Sequence, residues 1–105
     1  MKATEFVKKF GLSSFKVAMI CPQFSRYDYA ILYSDEVDFS NNFIEKHADY
    51  MFKTADIKRL VNSHELVEKL GGLENAKDEY FSCVQNNEPA SYVAKAISDV
   101  ESCNE

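Results

Sequence analysis

The amino-acid sequence predicts a mainly α-helical fold, one compact domain spanning residues 1–105 with about four to five short helices. Three observations carry that expectation. Apolar residues recur three and four positions apart over most of the chain, the spacing that builds a single stripe on a helix. The stretch ELVEKLGGLENAK, Glu65 to Lys77, nearly repeats EFVKKFGLSSFK, Glu5 to Lys16. All three glycines fall where these two stretches break, and glycine accepts the left-handed conformation that a helix C-cap requires.

In the first copy Phe6 and Phe10 lie four apart and share a helical face, Thr4 is placed to cap the helix, and Gly11 ends it. A second amphipathic segment starts at Leu12. The middle of the chain, residues 24–53, changes character. It holds eight of the fourteen aromatic residues: Phe24, Tyr27, Tyr29, Tyr33, Phe39, Phe43, Tyr50 and Phe52. It also carries Asp28, Asp35, Glu36, Asp38, Glu45 and Asp49. Tyr27 to Tyr33, YDYAILY, is rich in strand formers, and Tyr50 to Lys53 supplies a partner, so a short β-hairpin is the expectation here. Helices would have to cover it, because a lone hairpin is marginal in water.

Beyond the insert, Ile57, Leu60, Val61, His64 and Val67 form the next stripe. Thr54 to Leu70 reads as one helix, or as two broken near Asn62-Ser63, where Asn62 and Glu65 fit a capping box. Gly71-Gly72 closes that segment. Leu73, Ala76, Tyr80 and Val84 mark the next helix, which Asn86-Asn87 break. Pro89 suits the first turn of a last helix whose face is Val93, Ala96, Ile97 and Val100. The chain thus reads as two helix–glycine–helix units flanking an aromatic, acidic insert.

The bulk chemistry excludes several classes of function. A net charge of −5 opposes general affinity for nucleic acid, whose binding depends on neutralising phosphates. No apolar run approaches the roughly 20 residues that span a bilayer. Cys21, Cys83 and Cys103 are odd in number and share no short spacing, which points to reduced thiols in the cytoplasm. His47 and His64 are isolated, and Ser34 to Asp38 lacks the ligand alternation of a calcium loop, so neither a metal nor another cofactor is expected. There is no phosphate-binding glycine loop and no nucleophile elbow. The reading is therefore non-catalytic. One alternative is a small enzyme with an unrecognised site, such as a Cys–His pair. Another is a weak nucleic-acid-associated regulator built on helix-turn-helix-like units. Its would-be reading helices, Ser13 to Cys21 and Glu74 to Cys83, carry only Lys16 and Lys77 as basic groups.

The run DIKRLVNSHELVEKLGGLENAK, Asp56 to Lys77, resembles a recurring segment of small accessory proteins of lambdoid phages and prophages. EFVKKFG, Glu5 to Gly11, and AISDVESC, Ala96 to Cys103, fit the same group. The resemblance covers about two fifths of the chain and carries over no catalytic or binding residue. It implies a protein made in the cytoplasm of an infected or lysogenic bacterium, acting by binding a host or phage protein and modulating its activity.

The candidate partner-binding residues are Tyr27, Asp28, Tyr29, Tyr33, Asp35, Glu36 and Asp38. Tyrosines supply rigid contact area, and acidic neighbours select a basic surface. A second copy of the chain is an alternative occupant. The competing reading is that these aromatics complete the core of a domain without tryptophan.

Overall fold

The computed structural model describes residues 1–33 and 36–104. It is mainly α-helical, as the apolar spacing requires, with five α-helices and one small antiparallel sheet among the described residues. The elements are α1 (Ala3–Phe10), α2 (Ser13–Ile20), β1 (Tyr29–Leu32), β2 (Val37–Ser40), β3 (Met51–Lys53), α3 (Thr54–Lys69), α4 (Leu73–Gln85) and α5 (Ser91–Asn104). Short 3-10 turns at Pro22–Ser25 and Glu45–Tyr50 complete them. The chain divides into two compact units, Met1–Val61 and Asn62–Glu105, with the division falling inside α3. That helix is continuous: its chain does not break at Asn62-Ser63.

The first unit has an aromatic core. Phe6 of α1 stacks on Phe15 of α2 with ring centroids 5.3 Å apart, and both rings meet Phe52 of β3 edge-on at 5.2 and 5.6 Å. Such offset and edge-on geometries suit the charge distribution of aromatic rings. The sheet runs in the order β2-β1-β3, with Ala30 opposite Phe39 on one side and Phe52 on the other. Strand side chains alternate, so Ile31 and Met51 occupy the face away from Phe52. The 44–50 segment closes that second face, where the Ile44 N–H donates to Met51 Sδ at 3.2 Å. Thr54 ties the start of α3 to the sheet: its hydroxyl donates to the Tyr27 carbonyl and its N–H to the Asp28 carbonyl, both at 2.9 Å.

The second unit has an aliphatic core. Val67, Ala76, Val93, Ala96, Ile97 and Val100 are buried together, with Leu66, Leu70, Leu73 and Tyr80 packed around them. The Ser63 hydroxyl donates to Asp99 Oδ2 at 2.7 Å, fixing α3 against α5 inside this unit.

Both glycine stops behave as the repeat requires. Gly11 has φ of +84°, and its N–H donates to the Val7 carbonyl at 2.8 Å. Gly71 has φ of +95°, with its N–H on the Glu68 carbonyl and that of Gly72 on the Val67 carbonyl, a paired closure that satisfies two orphan carbonyls. Asn87, at φ +57°, ends α4 in the same way: its N–H reaches the Val84 carbonyl and that of Glu88 the Cys83 carbonyl.

Four local expectations are corrected. The hairpin is a three-stranded sheet, since Val37–Ser40 adds a strand. Lys2, not Thr4, holds the N-cap position of α1, without a side-chain bond. Pro89 precedes α5 rather than entering its first turn, and Ala90 supplies the first accepting carbonyl. Val84 lies outside the buried stripe of α4, where Cys83 takes its place, because the aliphatic core covers less of the helix than its apolar spacing offers.

Candidate protein-binding groove

In the first unit α1, α2 and the end of β1 leave a groove of about 480 Å³, lined by Phe6, Phe10, Ser14, Leu32, Tyr33 and Tyr50. Phe6 and Leu32 are buried and form its floor. Its walls are rings that stand half out of water: Phe10 is 53% exposed, Tyr33 43% and Tyr50 47%. Each is placed by a separate element. Phe10 comes from the last turn of α1, one helical turn beyond Phe6, with the two rings 4.9 Å apart. Tyr33 follows β1 directly, its N–H donating to the Glu36 carbonyl at 2.8 Å and its ring standing edge-on to His47 at 6.0 Å. Tyr50 ends the 3-10 turn that leads into β3. Glu36 and Asp49 are both exposed; Asp49 precedes Tyr50 and its carboxylate faces the Met1 ammonium at 3.7 Å.

The sequence-predicted tyrosines are distributed over three places. Only Tyr33 lines the groove. Tyr27 is half-buried with its ring 6.1 Å from Phe39, and Tyr29 is half-buried with its ring 5.9 Å from Phe43. Asp28 is exposed, its N–H donating to Asn41 Oδ1 at 3.2 Å and its carbonyl serving Thr54. Asp38 is exposed on β2, where its Oδ1 accepts the Phe39 N–H at 2.9 Å. Glu36 takes part through its carbonyl. Asp35 lies outside the described residues.

Sequence reasoning missed Phe10, Leu32 and Tyr50 as groove residues. Phe10 shared a face with Phe6 and looked like core. Its position at the very end of α1, one residue before Gly11, was the available signal, since a side chain there overhangs the last covered turn.

The surroundings of Cys83 disfavour its thiolate. Burial pushes the Cys83 thiol up from its ordinary value, and Glu79, with Oε1 3.7 Å from Sγ, pushes it further, as does Glu88. A nucleophilic cysteine needs the opposite influence. Among the described residues no three His, Cys, Asp or Glu side chains gather closely enough to hold a metal ion, and no helix is long and apolar enough to cross a membrane. Comparison with protein-family models, with curated proteins and with solved structures finds no match to this chain.

Proposed function

We propose that this protein is a non-catalytic binding module that modulates another protein by seating one of its apolar anchors in the Phe10–Tyr33–Tyr50 groove. The observation that carries this reading is the trio of half-exposed rings around a buried apolar floor. Apolar surface left in water costs roughly 25 cal/mol per Å², and a contiguous patch of it is characteristic of an interaction site. The occupant that fits is a segment presenting Leu, Ile or Phe flanked by Lys or Arg. The ring walls accept the apolar side chain, and the exposed Glu36 favours basic neighbours, whereas Asp49 already meets the Met1 ammonium at 3.7 Å. Lys9, beside Phe10, limits that preference to the far wall.

The resemblance of Asp56–Lys77, Glu5–Gly11 and Ala96–Cys103 to phage accessory proteins supplies the setting: a host or phage protein met in the bacterial cytoplasm. Duplex reading by the helix–glycine–helix units is disfavoured, because Lys77 on α4 already faces Glu101 at 3.7 Å and α2 offers only Lys16.

The test compares the intact protein with a Phe10→Ser, Tyr33→Ser, Tyr50→Ser variant, measuring melting temperature and capture of host and phage proteins. Loss of the same captured protein in the variant, with melting temperature held within a few degrees, is the expected result. Unchanged capture would overturn the groove as the binding site, and a collapse of thermal stability would show that these rings serve the core instead.

A further inference from the structure

A second groove lies between α4 and α5, within the second unit, and its chemistry differs from the first. It measures about 500 Å³ and is lined by Lys77, Tyr80, Phe81, Ala94, Ile97 and Glu101, together with two serines of α5. Phe81 is 62% exposed, with its ring 5.8 Å from that of Tyr80. Along α4 the same stripe continues through Val84, three residues on and also half exposed. Across the groove, Ala94, Ser98 and Ser102 recur every four residues on α5, so the facing wall is low and a third helix can approach closely.

The charge around this groove identifies the kind of occupant. Residues 62–105 contain nine acidic and three basic side chains, a net −6, whereas residues 1–61 sum to +1. Glu74 and Asp78 lie seven and three residues before Phe81, on its own side of α4. Glu101 stands on the α5 rim and holds Lys77 at 3.7 Å, so that the nearest basic group is already matched. The remaining lysine of the groove's neighbourhood is Lys95, one residue from Ala94. A second copy of this chain would bring another set of the same exposed carboxylates, Glu74 and Asp78, to the groove, and nucleic acid would bring more negative charge still.

We propose that the α4–α5 groove docks a basic amphipathic helix. Its apolar stripe would lie on Phe81, Val84 and Ala94, and its Lys or Arg side chains would meet Glu74 and Asp78. Helix-in-groove recognition of this kind needs anchors at i, i+3, i+4 and i+7 on the ligand and an apolar trench on the receptor. The proposal uses none of the residues of the Phe10–Tyr33–Tyr50 groove, and it stands or falls separately from it.

The probe is a fluorescent Leu/Lys peptide with leucines at helical spacing, titrated with the full chain at low ionic strength and read by anisotropy. Binding in the micromolar range is expected, weakening as salt is raised. Phe81→Ala should weaken it about tenfold or more, as truncation of a central aromatic anchor does. A Glu74→Lys, Asp78→Lys variant should weaken it as well and flatten the salt dependence. A Leu/Glu peptide of the same pattern should not bind. Phe81 is exposed, so Phe81→Ala is expected to fold, and circular dichroism checks that it does. The Phe10→Ser, Tyr33→Ser, Tyr50→Ser variant should bind the Leu/Lys peptide as the parent does. No binding by the parent, or equal binding by Phe81→Ala, would overturn the proposal. So would a peptide-free dimer in sedimentation that dissociates on Phe81→Ala, because the occupant would then be a second copy of the chain.

Discussion

Residues 1–61 hold eleven of the fourteen aromatic residues and, among the described residues, all three strands, while residues 62–104 are mostly helical and pack aliphatic side chains. The first unit is nearly neutral and the second strongly acidic. A ring-based core needs a few side chains set at defined angles: Phe6, Phe15 and Phe52 touch in one stacked and two edge-on pairs. An aliphatic core such as that around Val93 and Val100 is built from smaller and more interchangeable pieces. The difference teaches that one composition, read as a single average, conceals two ways of excluding water. Each way also leaves a different kind of surface: ring walls in the first unit, a trench between two helices in the second.

The sharpest test of that comparison removes one fully buried side chain from each core. Phe15→Ala should cost about 3–5 kcal/mol, since it deletes a ring with no exposed surface and leaves a cavity between Phe6 and Phe52. Val93→Ala, at an equally buried site, should cost only about 2 kcal/mol, two methyl groups' worth of transfer plus a small void. Chemical denaturation measures both. Equal losses would break the distinction between the two cores.

A smaller effect separates the two glycine stops. Any residue with a Cβ is strained at the positive φ of Gly11 or Gly71, so each change to alanine should cost about 1 kcal/mol. At Gly71 the added Cβ also runs into the Asn75 side chain, whose amide donates to the Gly71 carbonyl, whereas at Gly11 it meets open space. Gly71→Ala should therefore be the more destabilising of the pair. A larger loss at Gly11 would mean that the Asn75 side chain yields to the added Cβ at little cost.

The smallest effect is a matter of pH. The Cys83 thiol is raised above its ordinary value near 9.0, chiefly by burial and then by Glu79 and Glu88. Its folded form holds the proton at a pH where the unfolded chain has begun to release it. Stability is thus untouched at neutral pH and declines as pH rises past the unfolded value. Cys83→Ala should remove that part of the alkaline decline. In thiol titration of the native protein, half-exposed Cys21 should react well before buried Cys83.

The helical architecture was legible because its signals are local. Helix spacing and a glycine stop depend on residues within one or two turns, and Gly11, Gly71 and the Asn86-Asn87 break all lie where those signals put them. β1 and the pairing of β3 with it were legible from their strand formers. β2 was not: Val-Asp-Phe-Ser is short, follows an acidic run and is defined by its register against β1, a long-range property. The groove was hidden for the same reason. Tyr33 could be singled out from its neighbours, but Phe10 and Tyr50 join it only through the packing of α1 and the sheet. Tyr27 and Tyr29, similar to Tyr33 in sequence context, are drawn aside by Phe39 and Phe43.

The carboxylate of Asp38 has a consequence for how this chain behaves when crowded. β2 forms one edge of the sheet, and an edge strand ordinarily presents free donors and acceptors on which another strand can build. Here Asp38 Oδ1 takes the Phe39 N–H at 2.9 Å, occupying a donor that an incoming strand would need, and sets a negative charge at the same place. Edge-to-edge growth from β2 must first break that bond and then bury the charge. The β2 edge is therefore a poorer template for another strand than its unpaired backbone alone would make it.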